Sequence, residues 1–401
     1  MGNQNTSNLY PFYEILPVKS NSGNWLVNGG KTNTADIPSL VSTLLTWERV
    51  RSFNVGFDFG AFSNRLTGSF DYFVRKTVDM VGPAPQLPLV LGIAPAIVNN
   101  ADMKSYGFEI ELSWRDRIGE VDYGVKFNLA DAQQKVVKYP NTTNAFSDWY
   151  AGKMSGEIWG YTSLGIAKTD EEMKEHLASL PNGGQNQLGN KWGAGDIMYA
   201  DINGDGKIDG GKGTLADPGD QRIIGNSTPR YNFGLVLDAS YKGFDVSIFF
   251  QGVGKRDYAP IVGTNGAVFW GAVNNIWQSM AMEEHFDYFR PEGHPMGANL
   301  NGYYPRPDFT SNKNHQVQTR YLQDASYIRL KNLQIGYTLP KQWINKLHIN
   351  RCRVYVSGDN LWTGTSLASM FDPETLAAGD WGSGKTYPLS KVISFGLNVN
   401  F

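Results

Sequence analysis

The sequence predicts an all-β protein, and within that class a transmembrane antiparallel β-barrel. Three observations lead to this prediction. Apolar and polar residues alternate with a period of two through most of the chain, which gives each strand one apolar and one polar face. Short connections between strands alternate with long ones. Aromatic residues reach 13% and glycines number 45, whereas charged residues are only 18%, below the roughly 25% of an ordinary soluble domain.

The alternation defines the strands in order along the chain. FNVGFDFG places Phe53, Val55 and Phe57 on one face and polar or small residues on the other. The final strand places Phe395 and Leu397 on one face in the same way. A sheet buried on both faces would not keep one face so regularly polar. The predicted strands cover residues 10–28, 44–60, 66–79, 103–117, 121–138, 231–242, 244–259, 323–339, 351–365 and 388–401.

The connections show a second regularity. AFSNR, IGE and the single residue Gly243 are short turns, whereas residues 80–102, 139–230, 260–322 and 366–387 are long connections. Outer-membrane barrels have short turns on the periplasmic side and long loops outside the cell. We therefore expect 139–230 and 260–322 to be extracellular loops and Phe401 to lie at the periplasmic rim. A soluble β-sandwich or propeller remains an alternative, although the absence of a regular repeat disfavours the propeller.

Composition excludes several other classes. The formal charge of −2 gives no basic patch for nucleic acid. Cys352 is the single cysteine, which excludes a disulfide within the chain. No apolar run reaches the roughly 18 residues of a transmembrane helix, and the first residues lack the pattern of a signal peptide.

Two helices are expected inside the long loops. Thr169 to Pro181 has a capping Thr, acidic residues in its first turn and a terminating Pro. Val273 to Phe289 is the second candidate.

A possible cation site lies in the stretch DINGDGKID. Calcium binds six to eight oxygen atoms, which alternating carboxylates can supply around a glycine that permits a sharp turn. The twelfth position of such a loop is normally Glu, but here it is Lys212, so Asp220 or Asp217 would have to complete the site. The alternative is a turn rich in Asp and Asn that binds nothing. The predicted ligands of this structural calcium are Asp201, Asn203, Asp205, Lys207 through its carbonyl, Asp209 and Asp220.

We predict no catalytic site and no enzymatic activity. Gly379 to Thr386 matches a phosphate-loop pattern, but a strand follows it where the phosphate loop requires a helix. Glu109 and Glu111 face the same side of one strand and could suggest the carboxylate pair of a glycosidase, but carboxylates that line a barrel lumen need no catalytic purpose. The five histidines lack metalloprotease or zinc spacing.

Loop aromatics could bind sugar rings through their flat faces, pack the loops together, or line the membrane interface. The sequence does not assign any of them to a substrate. These residues are Trp149, Tyr150, Trp159, Tyr161, Trp192, Trp270, Trp277, Tyr303, Tyr304 and Trp381.

Several stretches, in order, resemble the SusC-like family of TonB-dependent outer-membrane transporters of Bacteroidetes. They include NNADMKSYGFEIELSWRD, DINGDGKID, RIIGNSTPRYNFG, YIRLKNLQIGYTLPKQW, RVYVSGDNLWTGT and FDPET. The resemblance extends over nearly all residues from about 8 onward. The insertion GGKGTLADPG after Asp209 departs from the family pattern and puts the last cation ligand in doubt.

The resemblance implies the C-terminal part of a barrel of roughly 22 strands, closed by an N-terminal plug. The signal peptide, the plug and the segment that contacts the TonB complex are expected upstream of this chain. The expected partners are a SusD-like surface lipoprotein, outer-membrane lipid and an imported glycan or peptide. The alternative function is that of a soluble or surface-attached, calcium-dependent carbohydrate-binding β protein.

Overall fold

The computed structural model describes most of the chain. The described residues are 13–38, 40–42, 45–82, 88, 90, 92–93, 96–260, 268–271, 282–308, 313–345, 348–376 and 387–401, with the backbone of Gly2–Asn3.

Nine long strands dominate the described part of the chain. Each pairs with its neighbour in chain order, and Gly2–Asn3 pairs with the first of them. The pairs from the fourth strand onward are antiparallel, as the prediction of an antiparallel barrel requires. The strands are β1 Glu48–Ala61, β2 Leu66–Gly82, β3 Val98–Ile118, β4 Val121–Lys138, β5 Arg230–Tyr241, β6 Phe244–Lys255, β7 Tyr327–Thr338, β8 Arg351–Thr365 and β9 Val392–Asn400.

The register keeps apolar residues on one face of the sheet and polar residues on the other. In the β8–β9 pair, Phe395 lies opposite Val356, and Ser394 lies opposite Ser357. Phe395 is 85% exposed and Leu397 is 64% exposed. The register places Phe395 and Leu397 on one face of β9 and Ser394 and Asn398 on the other, as the alternation predicts. An apolar face of this kind would suit lipid.

On the polar face, the side chain of Arg353 on β8 extends across the neighbouring strand β7. Its Nε donates to Asp245 of β6 over 2.9 Å, and it passes the intervening Gly336 of β7. A Cβ at Gly336 would lie 2.4 Å from Nη2 of Arg353. Glycine at this position therefore leaves the space that the ion pair needs.

The chain divides into two compact units, of which the first comprises Met1–Val55, Phe73–Tyr106 and Gln133–Ser155. Within it, the side-chain amide of Asn99 donates to the carbonyls of Thr46 and Asp79 over 2.9 and 2.6 Å. The second unit comprises Gly56–Tyr72, Gly107–Ala132 and Gly156–Phe401.

The second unit contains a hydrophobic core built by the long connections, which we call the loop core. Its members come from segments that are far apart in sequence, and six of them are aromatic residues that are at most 4% exposed. The loop core consists of Tyr161, Leu180, Ile197, Tyr199, Ile208, Tyr258, Phe269, Trp270, Tyr304, Tyr321, Ala325, Leu367, Phe371 and Leu376.

Short elements complete the fold. The minor strands are Val18–Lys19, Leu26–Val27, Gly30–Lys31, Thr34–Ala35, Glu157–Gly160, Ser163–Ile166, Ile197–Tyr199, Arg222–Asn226, Asp257–Tyr258 and Gln323–Asp324. Helix α1 is Asp170–Ala178, a 3₁₀ turn covers Glu283–Phe286, and α2 is Lys341–Ile344. None of the described helices is long and apolar enough to span a membrane.

Helix α1 confirms the first helix prediction, because Thr169 caps it by accepting from the backbone N–H of Glu172 over 3.1 Å. In the second predicted helix, residues 273–281 lie outside the described residues, and the described remainder contains only the 3₁₀ turn.

Three strand predictions need correction. The described part of the first predicted strand, residues 13–28, forms only Val18–Lys19 and Leu26–Val27, because Asn21 and Asn28 adopt positive φ and turn the chain. The predicted strands 244–259 and 323–339 are also too long. Their ends, Asp257–Tyr258 and Gln323–Asp324, lie outside the main sheet and pair with each other.

Candidate functional site

The predicted cation loop begins with a tight turn around Asp201. One carboxylate oxygen of Asp201 accepts the backbone N–H of Gly204 over 2.6 Å, and the other accepts that of Gly206 over 2.8 Å. Both glycines have positive φ, 76° and 79°, a conformation that other residues rarely adopt. The turn expected at Gly206 is therefore present, and it winds the backbone around the first carboxylate.

The middle of the loop continues the same pattern. Oδ1 of Asn203 accepts the N–H of Asp205 over 3.0 Å, and Oδ1 of Asp205 accepts that of Lys207 over 3.1 Å. The Lys207 ammonium contacts the Asp209 carboxylate and lies 3.7 Å from Asp205. The hydrogen bond with Asp209 raises the pKa of Lys207, so the ammonium neutralises part of the loop's negative charge.

Asp220 joins the two ends of the loop. One oxygen accepts the N–H of Ile202 over 2.8 Å, and the other accepts that of Asp209 over 2.9 Å. The residue is fully buried. Burial raises the pKa of the Asp220 carboxyl, and the hydrogen bond from Asp209 opposes that shift. Of the two candidates that the sequence offered, Asp220 is the one that contacts the loop ends.

Asp217 and Lys212 belong to the inserted segment. The backbone carbonyl of Asp217 accepts the N–H groups of Lys212 and Thr214 over 3.1 and 3.2 Å. The insertion therefore closes on itself and leaves Asp220 beside the loop.

The donor set suits a hard cation in chemistry, because it offers carboxylate and carbonyl oxygens. Among the described residues, however, no three His, Cys, Asp or Glu side chains converge in a geometry that would hold a metal ion. A cation at these carboxylates would have to replace the Lys207 ammonium. The Lys207 side chain is 38% exposed, so it has space to move away.

The loop aromatics divide into two groups. Tyr161, Trp270 and Tyr304 are at most 4% exposed and belong to the loop core, against which Trp192 and Tyr303 pack. Trp149 is 41% exposed, whereas Trp277 and Trp381 lie outside the described residues. Packing between loops is therefore the role of the buried group.

A buried ionic cluster beside the loop core had no signal in the sequence. Asp196 is fully buried and accepts two hydrogen bonds from Arg306, through Nε over 2.8 Å and Nη2 over 2.6 Å. It also accepts from Lys313 Nζ and from Asn314 Nδ2, each over 2.9 Å. These contacts join two loops that are more than 100 positions apart in the chain, which single-sequence spacing cannot predict.

The FDPET stretch packs against the polar face of β7. Arg329 donates to Glu374 over 2.9 Å and to Asp372 over 2.8 Å, and Lys331 donates to Glu374 over 3.0 Å. The preceding Phe371 packs on Tyr258 with ring centroids 5.3 Å apart. This segment thus connects the sheet to the loop core.

The remaining candidate sites gain no support as catalytic centres. Glu109 and Glu111 lie exposed on β3, on the same strand face. The phosphate-loop match, Gly379 to Thr386, lies outside the described residues.

Comparisons with known proteins point to one family. The family model described as TonB dependent receptor-like, beta-barrel, matches residues 3–361. TonB-dependent receptor P3 of Formosa agariphila is 28% identical over 97% of this chain and 38% of its own length. TonB-dependent receptor SusC of Bacteroides thetaiotaomicron is 21% identical over 91% of this chain and 33% of its own.

Solved structures agree with this result at the level of the fold. A structure of the RagAB peptide transporter aligns with a TM-score of 0.68 and 22% identity, over 98% of this chain and 39% of that one. The structure of the RagAB peptide importer in the closed-closed state aligns with a TM-score of 0.67 and 23% identity. This alignment covers 100% of this chain and 40% of that one. The chain thus spans about two fifths of the length of these relatives or less.

Proposed function

Because this chain belongs to the TonB-dependent receptor-like β-barrel family, we propose that it forms part of an importer of oligosaccharides or peptides. The family consists of outer-membrane receptors and transporters, not enzymes, and the chain is part of an outer-membrane β-barrel protein. The observation that carries the proposal is the family match over residues 3–361. The two-faced sheet supports it, because an apolar outer face meets lipid while a polar inner face lines an aqueous path.

The substrate class follows from two kinds of relative. The SusC-like resemblance favours a glycan, whereas the structural neighbours are named as peptide transporters. Both substrates are polar and flexible, and both suit a lumen lined by charged and amide side chains such as Asp245, Arg353 and Asn332. We place oligosaccharides first and peptides second.

An uptake assay distinguishes the two. A strain of the source bacterium that lacks the whole gene is supplied with labelled oligosaccharides or labelled peptides, and uptake is compared with the complemented strain. Loss of oligosaccharide uptake alone supports the first substrate class, and loss of peptide uptake alone supports the second. If both pools enter at wild-type rates, the import proposal is wrong.

The partners are part of the same proposal. We expect a SusD-like surface lipoprotein to cover the loops and the TonB complex to supply energy through a segment upstream of this chain. The full protein should purify together with that lipoprotein from outer membranes, and deletion of TonB should abolish uptake. Carbohydrate binding by the purified protein, combined with uptake that is unchanged by loss of the gene and by loss of TonB, would favour a calcium-dependent carbohydrate-binding protein instead.

Calcium, or a similar hard cation, is proposed as a structural ligand of the loop from Asp201 to Asp209, with Asp220 as an additional ligand. The support is the winding of the backbone around Asp201 and the burial of Asp220 at the loop ends. The neutralising charge of Lys207 is the feature that competes with a cation.

Titration of Ca²⁺ into the full protein tests this proposal. Lys207→Gln removes the competing ammonium and should tighten Ca²⁺ binding, whereas Lys212→Gln, at an exposed position nearby, should leave it unchanged. A chelator should also increase protease cleavage between residues 201 and 220. Absence of Ca²⁺ binding in the wild type and in Lys207→Gln would mean that the loop is an Asp-rich turn stabilised by its own lysine.

A further inference from the structure

Three buried polar side chains, Trp270 of the loop core and the nearby His315 and Gln318, have unpaired atoms. Among the described residues, both ring nitrogens of His315, Nε1 of Trp270 and Oε1 of Gln318 have no hydrogen-bond partner. These residues are 0%, 1% and 2% exposed. Buried polar atoms without partners are rare in native proteins because each one loses its hydration without compensation.

Trp270 contacts His315, and Gln318 lies three positions after His315 in the chain. The rings of Trp270 and His315 pack edge to face with centroids 4.5 Å apart. His315 and Gln318 lie in one turn, and Nε2 of Gln318 donates to the carbonyl of Asn314 over 2.8 Å.

The surrounding contacts fix the turn and the orientation of the Gln318 amide. Nε2 of Gln318 also donates to the hydroxyl of Tyr199 over 3.2 Å, which leaves Oε1 as the free acceptor. The Asn314 side chain accepts the N–H of Ile197 over 3.0 Å and donates to Asp196 over 2.9 Å. These contacts hold the Gln318 amide in the orientation that leaves Oε1 unpaired.

The chemistry of the unpaired atoms identifies the ligand. The indole of Trp270 can only donate, Oε1 of Gln318 can only accept, and a neutral imidazole supplies one donor and one acceptor. We propose that ordered internal water is bound where His315 packs on Trp270 of the loop core, held by His315, Trp270 and Gln318. Water both donates and accepts, and buried waters typically make about three hydrogen bonds to such groups.

An ion does not fit the same atoms. A cation would be repelled by the donor hydrogen of the Trp270 indole, and an anion by the Gln318 oxygen. The Lys313 ammonium already donates to the carbonyls of Asn190 and Lys191 and to Asp196 over 2.9 to 3.2 Å. The Asp308 carboxylate, whose charge acts on His315, lies 3.8 Å from that same ammonium.

The direct test is a density map of the full wild-type protein, at a resolution where other buried waters are visible. We expect a water peak within about 3.2 Å of a ring nitrogen of His315 and of either Trp270 Nε1 or Gln318 Oε1. A map that shows other internal waters but no peak there would overturn the proposal.

Variants provide a second test. His315→Leu removes two water ligands, so amide hydrogen exchange of residues 313–321 should become about tenfold faster. His315→Gln keeps a donor and an acceptor and should restore much of the protection. The control His348→Leu makes the same change at an exposed position and should have no effect on that segment. If the site is dry, His315→Leu removes unpaired polar atoms and protection stays equal or rises, which contradicts the proposal.

Discussion

Arg329 donates from Nη2 to Oδ1 of Asp372 over 2.8 Å, with both side chains less than 10% exposed. The same guanidinium reaches Glu374 through Nη1 and Thr363 through Nε, each over 2.9 Å. Arg329 thus donates from all three nitrogens, with two bonds to the FDPET segment and one to Thr363 of β8. Because Phe371 of that segment enters the loop core, this ion pair fixes the loop core relative to the strand that carries Arg329.

Arg329→Gln should therefore release the segment from Phe371 to Leu376. Removing one partner of a buried ion pair leaves an uncompensated charge and costs about 3 to 5 kcal/mol. We expect faster hydrogen exchange in this segment and a lower unfolding temperature of the loop core. Arg117→Gln is the matched control, because its pair with Asp122 is more than half exposed and should contribute about 1 kcal/mol or less. Equal effects of both changes would mean that the ion pairs of Arg329 do not hold the segment.

The two faces of β9 should respond differently to charge. Phe395→Arg near the middle of the membrane should cost roughly 2 to 4 kcal/mol, because it places a cation against lipid. Asn398→Arg places the same side chain on the polar face and should be mild. Folding titrations in lipid vesicles measure the free energy of unfolding of both variants. Equal values would contradict the assignment of Phe395 and Asn398 to opposite faces of β9.

Asp220→Asn should loosen the loop that it closes. The carboxylate accepts backbone N–H groups through both oxygens, whereas an amide offers one acceptor, and the loss should cost about 1 to 3 kcal/mol. Limited proteolysis between residues 201 and 220 reports the change. Asp217→Asn is the control, since Asp217 contacts its neighbours through its backbone carbonyl. Unchanged cleavage in Asp220→Asn would argue against its role at the loop ends.

The stability of the loop core should fall as the pH is lowered from about 6.5 to about 4. Burial lowers the pKa of His315 to about 4, although Asp308 opposes the shift. The unfolded chain therefore binds this proton at a higher pH than the folded protein does, and the difference corresponds to about 3 kcal/mol. Burial also lowers the pKa of His176, which adds in the same direction.

Tryptophan fluorescence of the loop core during chemical unfolding at several pH values measures this dependence. His315→Gln has no titrating group and should show a flatter profile between pH 6.5 and 4. An identical profile in wild type and variant would mean that groups other than His315 cause the pH dependence of stability. Carboxylates contribute mainly below about pH 4.

Local periodicity made most of the sheet predictable. The alternation around Phe395 and the tight turn at Gly243 need only neighbouring residues, and both agree with the structure. The first predicted strand was wrong because positive φ at Asn21 and Asn28 turns the chain. Asp201 to Asp209 could be located as a loop from its glycine and carboxylate spacing, but its cation remains a prediction.

The tertiary contacts of the loops were not predictable in this way. Nothing near Asp196 in the sequence indicates that its partners are Arg306 and Lys313, because those contacts depend on how two long connections meet in space. FDPET was visible as a motif, yet its partner Arg329 lies 43 positions away. The role of His315 likewise becomes apparent only once Trp270 is seen to pack on it.

The loop core draws its members from Tyr161 to Leu376, and five long strands, β5 to β9, alternate with or follow the segments that supply them. No single loop contains enough of these side chains to form the core alone. Closing such distant contacts carries a large entropic cost until the intervening strands have paired. The loops should therefore become ordered last during biogenesis. Protease resistance of the loop core would then indicate that strands β5 to β9 have already paired.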